Sequence, residues 1–236
     1  MTEVVFRSDM GVKVLDIMGG DSKIARMARA STRNEGSTRE RDAALVQTLI
    51  NERHMLPLEH AAFTFRLQIP IFVARQIQKH RMASQSELSA RYTELLPEFY
   101  IPSEGRPLGQ RGSRMAYEVV HLERRLEEDA RRLMESSAKS AWSDYEALLD
   151  RGVSREMARI VLPVNVYTEI RMTMNLRSLL NFLSLRVDWE GRGHEHVADP
   201  GHPQREIDQV ASQMWDHLID NFPAVAGAFE SKGFSA

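Results

Sequence analysis

The 236-residue chain contains no cysteine. That excludes a disulfide framework, Cys-ligated zinc, an iron–sulfur cluster and any thiol nucleophile. Lysine is scarce, 5 residues against 26 arginines. A GC-rich genome, which favours Arg codons, would explain most of that excess, but arginine also reads planar anions through a rigid fork. No apolar run approaches the ~20 residues of a membrane span. The opening MTEVVFRSDMGVKVLDIM carries charge inside every apolar stretch, so no targeting segment is expected and the protein should be cytoplasmic. Net charge is nearly absent as well: 31 basic residues against 33 acidic ones leave −2, with no global pull toward nucleic acid or an anionic membrane. Repeats and low-complexity segments are lacking. What remains is ordinary for a soluble globular protein, 42% hydrophobic and 27% charged, and the length favours a single domain over residues 1–236.

Local patterns set out the elements. Val4–Phe6 then Val12–Met18 read as a strand or hairpin, with Asp9–Gly11 as the turn signal. Asp21 is placed to cap a helix over Ser22–Ala30, and Ser37 with Glu40 has capping-box spacing for a helix to about Arg53. After a polar loop (Ser31–Gly36) and a Pro-containing break (His54–His60), Phe63, Phe65, Leu67 and Ile69 alternate as in a half-buried strand over Ala61–Ile69. Pro70 suits the first turn of a helix from Ile71 to about Arg81, with Ile71, Phe72, Val73 and Ile77 inward. Met82–Thr93 reads as an ordered loop and Glu98–Ile101 as a short strand. One long amphipathic helix is predicted from about Ser113 to Leu149, stopped at Gly152. Ser154 caps a short helix to Leu162, Val164–Met174 is a strand and Leu176–Val187 a helix. Asp188–Pro203 is a loop, Arg205–Asn221 the last substantial helix and Phe222–Phe234 a weaker tail. Strands separated by helices predict an α/β (α+β) fold, a central mixed sheet flanked by helices.

Two stretches carry chemistry. In PIFVARQIQKHRMASQSELSARYT (Pro70–Thr93), Arg75 and Lys79 share one helix face and Gln76 and His80 another. Lys79, His80 and Arg81 then lead into Ser84, Ser86, Glu87, Ser89 and Arg91. Cations at a helix C-terminus are explained by the dipole alone; small residues followed by Arg also suit a phosphate-bearing ligand. In Ser154–Asp188, Arg159 lies in an apolar run and is expected to be partly buried against an anion: Glu156 or another carboxylate, or a ligand phosphate. Asn175, Arg177, Asn181 and Arg186 follow; two amides and two guanidiniums beside an apolar helix could line a planar heterocycle, or could equally be polar residues on the surface of a helix.

HRMASQSELSARY resembles the signature of the flavin-dependent thymidylate synthases, an Arg-His-Arg triplet followed by seven residues and a Ser; here it reads Lys79-His80-Arg81 and then Ser89. PLEH at Pro57–His60, PIFVARQ at Pro70–Gln76, EFYIP at Glu98–Pro102, and ARIVLPVNVYT with NLRSLLNFLSLR are similar to the same family and stand in family order from about Asp16 to Val187. The resemblance implies a homotetramer with shared active sites that makes dTMP from dUMP. Methylenetetrahydrofolate would give the one-carbon unit, NADPH the electrons, and FAD would carry hydride. Carried over residue by residue, it places flavin contacts on His54, Lys79, His80, Arg81, Glu87, Asn175, Leu176, Arg177 and Asn181. It places dUMP contacts on Gln76, Ile77, Gln78, Lys79, Glu87, Leu88, Ser89, Ala90, Arg91, Arg159 and Arg186. Arg186 would be the catalytic group, favouring charge on the N3–C4–O4 edge of uracil, with Arg91 and Arg159 on the 5′-phosphate.

The chain departs from the family pattern at Lys79, where Arg is usual and the fork is lost. It departs also at Ser86, often Asn, and at Leu56, where a hydroxyl residue is common. Ser89 lacks an activating base and is expected to bind rather than attack. His194, Glu195, His196, Asp199 and His202 raise a metal site, but the segment lacks the helical H-E-x-x-H arrangement and reads as a solvent-exposed insertion. No metal, nucleic-acid or membrane partner is expected. A non-catalytic nucleotide or flavin regulator could dispense with Arg186. A purely structural protein would leave the Lys79–Arg91 and Asn175–Arg186 sets unexplained.

Overall fold

The computed structural model describes residues 2–32, 37–113, 116–194, 197 and 202–235. In chain order its strands are β1 (Val5–Arg7), β2 (Gly11–Met18), β3 (Ala62–Pro70), β4 (Ser84–Glu87), β5 (Glu98–Tyr100), β6 (Gly109–Ser113), β7 (Ala116–Val120) and β8 (Tyr167–Asn175). Its helices are α1 (Asp21–Arg29), α2 (Arg39–Asn51), α3 (Ile71–Ile77), α4 (Arg124–Asp150), α5 (Arg155–Ala158), α6 (Leu176–Arg186), α7 (Arg205–Asn221) and α8 (Pro223–Ser231), with 3-10 turns at Leu56–His60 and Arg159–Val161. Strands interleaved with helices give the expected α/β class. The chain gathers into two compact units, each made of three separate segments, so neither is contiguous in sequence. No helix among the described residues is long and apolar enough to cross a membrane.

The first unit comprises Met1–Asp9, Ile69–Phe72 and Leu88–Thr168. Its core packs Phe99, Trp142, Tyr145 and Val166 together, with Trp142 against both aromatic neighbours. β1 does not form a hairpin with β2, as its sequence suggested; it pairs in parallel with β5. The long helix begins at Arg124 rather than Ser113, because Gly109–Ser113 and Ala116–Val120 pair antiparallel as β6 and β7. Helical charge spacing misled here. Only glycine fits at position 109, where a Cβ would stand 2.6 Å from a Leu122 methyl and 2.9 Å from the Val120 carbonyl. Glu127 of α4, buried, accepts from the Leu108 and Leu122 N–H groups and so ties the hairpin base to the helix. Gly152 ends α4 at φ +80, the left-handed conformation glycine favours.

The second unit comprises Met10–Gln68, Val73–Glu87 and Glu169–Ala236. It holds the four-stranded sheet, order β2-β3-β8-β4. β2 pairs antiparallel with β3, and β4 with β8, while the parallel pair β1–β5 forms a sheet of its own. Alternation in β3 buries Phe63, Phe65, Leu67 and Ile69 completely, as the period of two demands. β4 takes residues the sequence assigned to a loop: Ser84–Glu87 is polar and largely exposed, and the pairing to β8 rather than burial makes it a strand. α6 is capped by Asn175, whose side-chain oxygen accepts from Ser178 N–H at 2.9 Å. Asp21 caps a different helix from the one it begins: its carboxylate accepts from Ala224 and Val225 N–H at the start of α8. α2 is capped by Thr38, one residue after the expected Ser37. The C-terminal tail is a helix, α8, buried on one side, with Val225 and Phe229 fully enclosed.

Candidate functional site

The site grows from the end of β3. Pro70 closes the strand and α3 starts at once, but the helix stops at Ile77, one turn earlier than expected, with Lys79 and His80 N–H groups bonded back in single turns. Ile77 is buried, so the turn that follows carries Lys79, His80 and Arg81 off the helix before β4 begins. Paired antiparallel with β4, β8 delivers Met174 and Asn175, and α6 then brings Arg177, Ser178, Asn181, Leu185 and Arg186. These residues share a cavity of about 1030 Å3 with Arg53, Met55, Glu59 and Met82. Five cations (Arg53, Lys79, Arg81, Arg177, Arg186) therefore stand against one carboxylate, Glu59, which accepts from Arg177 at 2.7 Å. Charge of one sign around a concave surface favours an anionic ligand, and Met55, Met82, Met174 and Leu185 supply apolar contact for a flat ring.

Arg186 is the best-fixed of these cations. Its Nε donates to His80 Nε2 at 3.0 Å. His80 must then accept, so it is neutral and carries its proton on Nδ1. Burial, and then the Arg186 charge, hold its pKa below the ordinary 6.5. Its ring meets the Phe182 ring edge-on at 4.8 Å. Because His80 takes Nε, both terminal nitrogens of Arg186 stay available as a fork. An NMR titration should place His80 below 6.5, and Arg186→Ala should raise it. The linkage sign is that of a base protonated more readily when unfolded: the stability it supports is complete above about 6.5 and is lost as pH falls through 6.5 toward the folded value. A measured value at or above 6.5 would mean that His80 does not serve as the acceptor.

Within the first unit a second basic arrangement centres on Glu156. Its carboxylate takes Arg91 Nε at 2.9 Å, and its backbone carbonyl takes Arg159 Nε at 3.3 Å. Arg159 is exposed, not partly buried as its apolar neighbours suggested, because Ile160 and Val161 are exposed with it. The expected partner of Arg159, the Glu156 carboxylate, belongs instead to Arg91. Both members of that ion pair are about half exposed, so it is worth little in water and can be exchanged for another anion. Ser89 Oγ accepts from Arg91 N–H at 3.3 Å, and among the described residues no imidazole or carboxylate bonds to it.

A family model described as thymidylate synthase complementing protein matches residues 13–224. A flavin-dependent thymidylate synthase of Streptomyces avermitilis is 38% identical over 97% of this chain and 94% of that protein. The chain belongs to the flavin-dependent thymidylate synthase family. The relative of Thermotoga neapolitana with the same description is 42% identical over 92% of this chain and 89% of its own. Among solved structures, a UMP/dUMP methylase, PolB, of Streptomyces cacaoi, bound with 5-Br UMP, is 35% identical with a TM-score of 0.90, covering 99% of each chain.

For a flavin-dependent thymidylate synthase fold, the sequence-derived residues divide unevenly. Of the flavin set, Lys79, His80, Arg81, Asn175, Arg177 and Asn181 line the large cavity together. His54 lines a smaller neighbour of about 450 Å3. Leu176 is fully buried and can offer only backbone. Glu87 accepts from Gln78 Nε2 at 3.3 Å on β4. Of the dUMP set, only Lys79 and Arg186 are in that cavity. Gln76 donates to Gln204 at 2.6 Å, Ile77 is buried, and Leu88, Ser89, Ala90, Arg91 and Arg159 belong to the first unit. Sequence reasoning missed Arg53 and Glu59 as lining residues. Glu59 stood in the PLEH block; nothing in the local pattern marked Arg53.

The His-rich loop is only partly described: Glu195, His196 and Asp199 lie outside the described residues. Part of it is not solvent-exposed. Trp189 is buried and stacks on Phe234 at 3.9 Å, and His194 meets Phe234 at 4.5 Å and Glu230 at 3.4 Å. Among the described residues no group of three metal-ligating side chains forms.

Proposed function

We propose that this chain makes dTMP from dUMP, with methylenetetrahydrofolate as one-carbon donor, NADPH as reductant and FAD as the hydride carrier. The observation that carries the reading is the cavity in which Lys79, His80, Arg81, Asn175, Arg177 and Asn181 gather around a fixed Arg186. Five cations against one carboxylate suit a dinucleotide with two phosphates, and the amides of Asn175 and Asn181 suit the edge of a flavin ring. Asn175 spends its oxygen on the helix cap, which leaves its NH2 group to donate to such a ring. When bound, the flavin supplies the hydride.

The chain's own work is positioning and charge. C5 of uracil is a poor nucleophile, and charge develops on the N3–C4–O4 edge as it attacks the methylene carbon. A guanidinium aimed at that edge stabilises the charge, and it cannot lose its own proton at neutral pH. Arg186 supplies it, with Nε anchored on His80. Arg91 and Arg159 hold the 5′-phosphate, which replaces the Glu156 carboxylate on Arg91. Glu87, Ser89 and the backbone of Gln76–Lys79 and Leu88–Ala90 contribute polar contacts to the nucleotide. Arg159→Ala should raise the KM for dUMP about tenfold at nearly constant kcat; an unchanged KM would remove it from the clamp.

We also propose a homotetramer acting as single-domain protomers in the cytoplasm. Leu126, Leu133 and Met134 on α4, with Ile160 and Val161 beyond it, are exposed apolar groups that support a subunit contact. A second reading of specificity has one observation in its favour: PolB, so similar in fold, is a UMP/dUMP methylase. Both readings meet one experiment. Purified protein should show a flavin absorption spectrum and convert dUMP, NADPH and methylenetetrahydrofolate to dTMP; UMP in the same assay decides whether a 2′-hydroxyl is accepted. Colourless protein that gains no flavin on reconstitution would sink the proposal.

A further inference from the structure

Arg53 sits where a helix-ending glycine would be expected. α2 closes with Arg53 N–H on the Ile50 carbonyl at 3.2 Å and His54 N–H on the Leu49 carbonyl at 2.8 Å, the crossed pair that puts the intervening residue in the left-handed region. Arg53 has φ 58. Among the described residues one other non-glycine shares that conformation, Phe234, and its ring is buried in the Trp189 cluster. Packing accounts for Phe234. Nothing of the kind accounts for Arg53, whose side chain is exposed and has no hydrogen bond or ion pair among the described residues. It is felt by another cation instead: Lys232, bonded to the Ile50 carbonyl at 2.9 Å, has its pKa lowered by burial and then by the Arg53 charge.

What Arg53 does touch is empty space of a particular kind. It lines both the cationic cavity and the smaller one, and Arg177 and Met55 do the same. The smaller cavity is otherwise walled by Ala28, Leu49, Leu56 and Pro57, with His54 its other polar group. An unpaired guanidinium at the wall common to an apolar cavity and a cationic one is placed to hold an anionic group between two flat or apolar portions of one ligand. A left-handed arginine costs the fold what glycine would not, and such strain persists where the side chain has a use.

We propose that Arg53 is an anion-binding residue at the wall shared by the two cavities, recognising the phosphate or carboxylate oxygens of a ligand that passes from one to the other. This rests on the function proposed above, which offers two sources of such oxygens: the pyrophosphate of the flavin dinucleotide and the glutamate carboxylates of the folate.

Two variants test it. Arg53→Gly removes the charge and relieves the backbone; Arg53→Gln removes the charge and keeps the backbone as it is. Ligand-free R53G should melt at or above the wild-type temperature, and R53Q close to it. Both should bind one of the two ligands about tenfold more weakly, with a shallower salt dependence. Weaker FAD binding to stripped protein identifies the pyrophosphate as the partner. A raised KM for methylenetetrahydrofolate on FAD-saturated enzyme identifies the carboxylates. If both variants bind both ligands as the wild type does, Arg53 has no such role. Wild-type protein that takes up no flavin refutes the broader reading instead. Inorganic pyrophosphate titrated against wild type and R53Q then still decides, since equal affinities overturn the assignment.

Discussion

Arg186→Ala should lower turnover by about 10²- to 10³-fold while the flavin spectrum persists. The two halves of that result have separate causes. The other groups expected on the flavin, Lys79, His80, Arg81, Asn175, Arg177 and Asn181, stay in the cavity when Arg186 is removed, so affinity for the cofactor is carried elsewhere. Arg186 differs from them in being fixed through Nε, which leaves its two outer nitrogens available as a fork. A fixed cation needs no reorganisation when charge develops, and this is where its effect on kcat arises. Arg186→Lys keeps the charge but has no Nε to give His80 and no fork, so its turnover should fall between alanine and wild type. Stopped-flow reduction by NADPH, followed by product analysis, separates the outcomes. Normal dTMP formation in the alanine variant would remove Arg186 from its role, and loss of flavin would move it among the cofactor ligands.

Much of the second unit was legible because its signals are short in range. Phe63, Phe65, Leu67 and Ile69 alternate, and a period of two on a buried face has one solution. Leu176–Arg186 and Arg205–Asn221 carry helical apolar spacing within a turn or two of their observed ends. Failures came where a partner distant in sequence decides the matter. β1 looked like half of a hairpin until β5 took it. Asp21 looked like the cap of its own helix, yet its oxygens lie on N–H groups more than 200 residues later. Arg159 looked buried among apolar neighbours that are themselves exposed. The site shows the same division. Motif residues around Lys79–Arg81 and Asn175–Arg186 could be named from sequence, but the Arg186–His80 bond joins side chains 106 positions apart and no spacing rule contains it.

The arginine excess also resolves into jobs. Arg131 donates to the Pro102, Ser103, Glu104 and Arg106 carbonyls and organises a loop of the first unit. Arg29 pairs with Asp42 at 2.6 Å, half of a partly buried bridge. Such arginines are structural. Arg53, Arg81, Arg177 and Arg186 are gathered on one cavity instead, so a chain of net charge −2 still presents a strongly positive site. The absent cysteine acquires a meaning beside them. A thymidylate synthase without a thiol cannot activate uracil by covalent attack from cysteine, and the demand for charge stabilisation falls on a group such as Arg186.

Phe182→Ala should cost about 3–5 kcal/mol of stability and should also move the acid limit of turnover. Phe182 is completely buried on α6, so its loss leaves a cavity the helix cannot close. The cavity would open beside His80, whose ring stands 4.8 Å away. Burial is the first cause of the lowered His80 pKa, and admitting water there raises it toward 6.5. Protonated His80 cannot accept from Arg186 and repels it. Turnover that depends on the bond is present above the His80 pKa and lost as pH falls through it. In the variant that loss must therefore begin at higher pH. Phe63→Ala is the control. Phe63 is equally buried and packs on Phe65 at 5.1 Å and Phe222 at 5.3 Å, so its removal should cost a similar amount. Urea unfolding should show comparable losses in the two variants, while kcat against pH should shift in Phe182→Ala alone. An acid limb that stays in place in both would show that packing by Phe182 does not hold His80 in its neutral form.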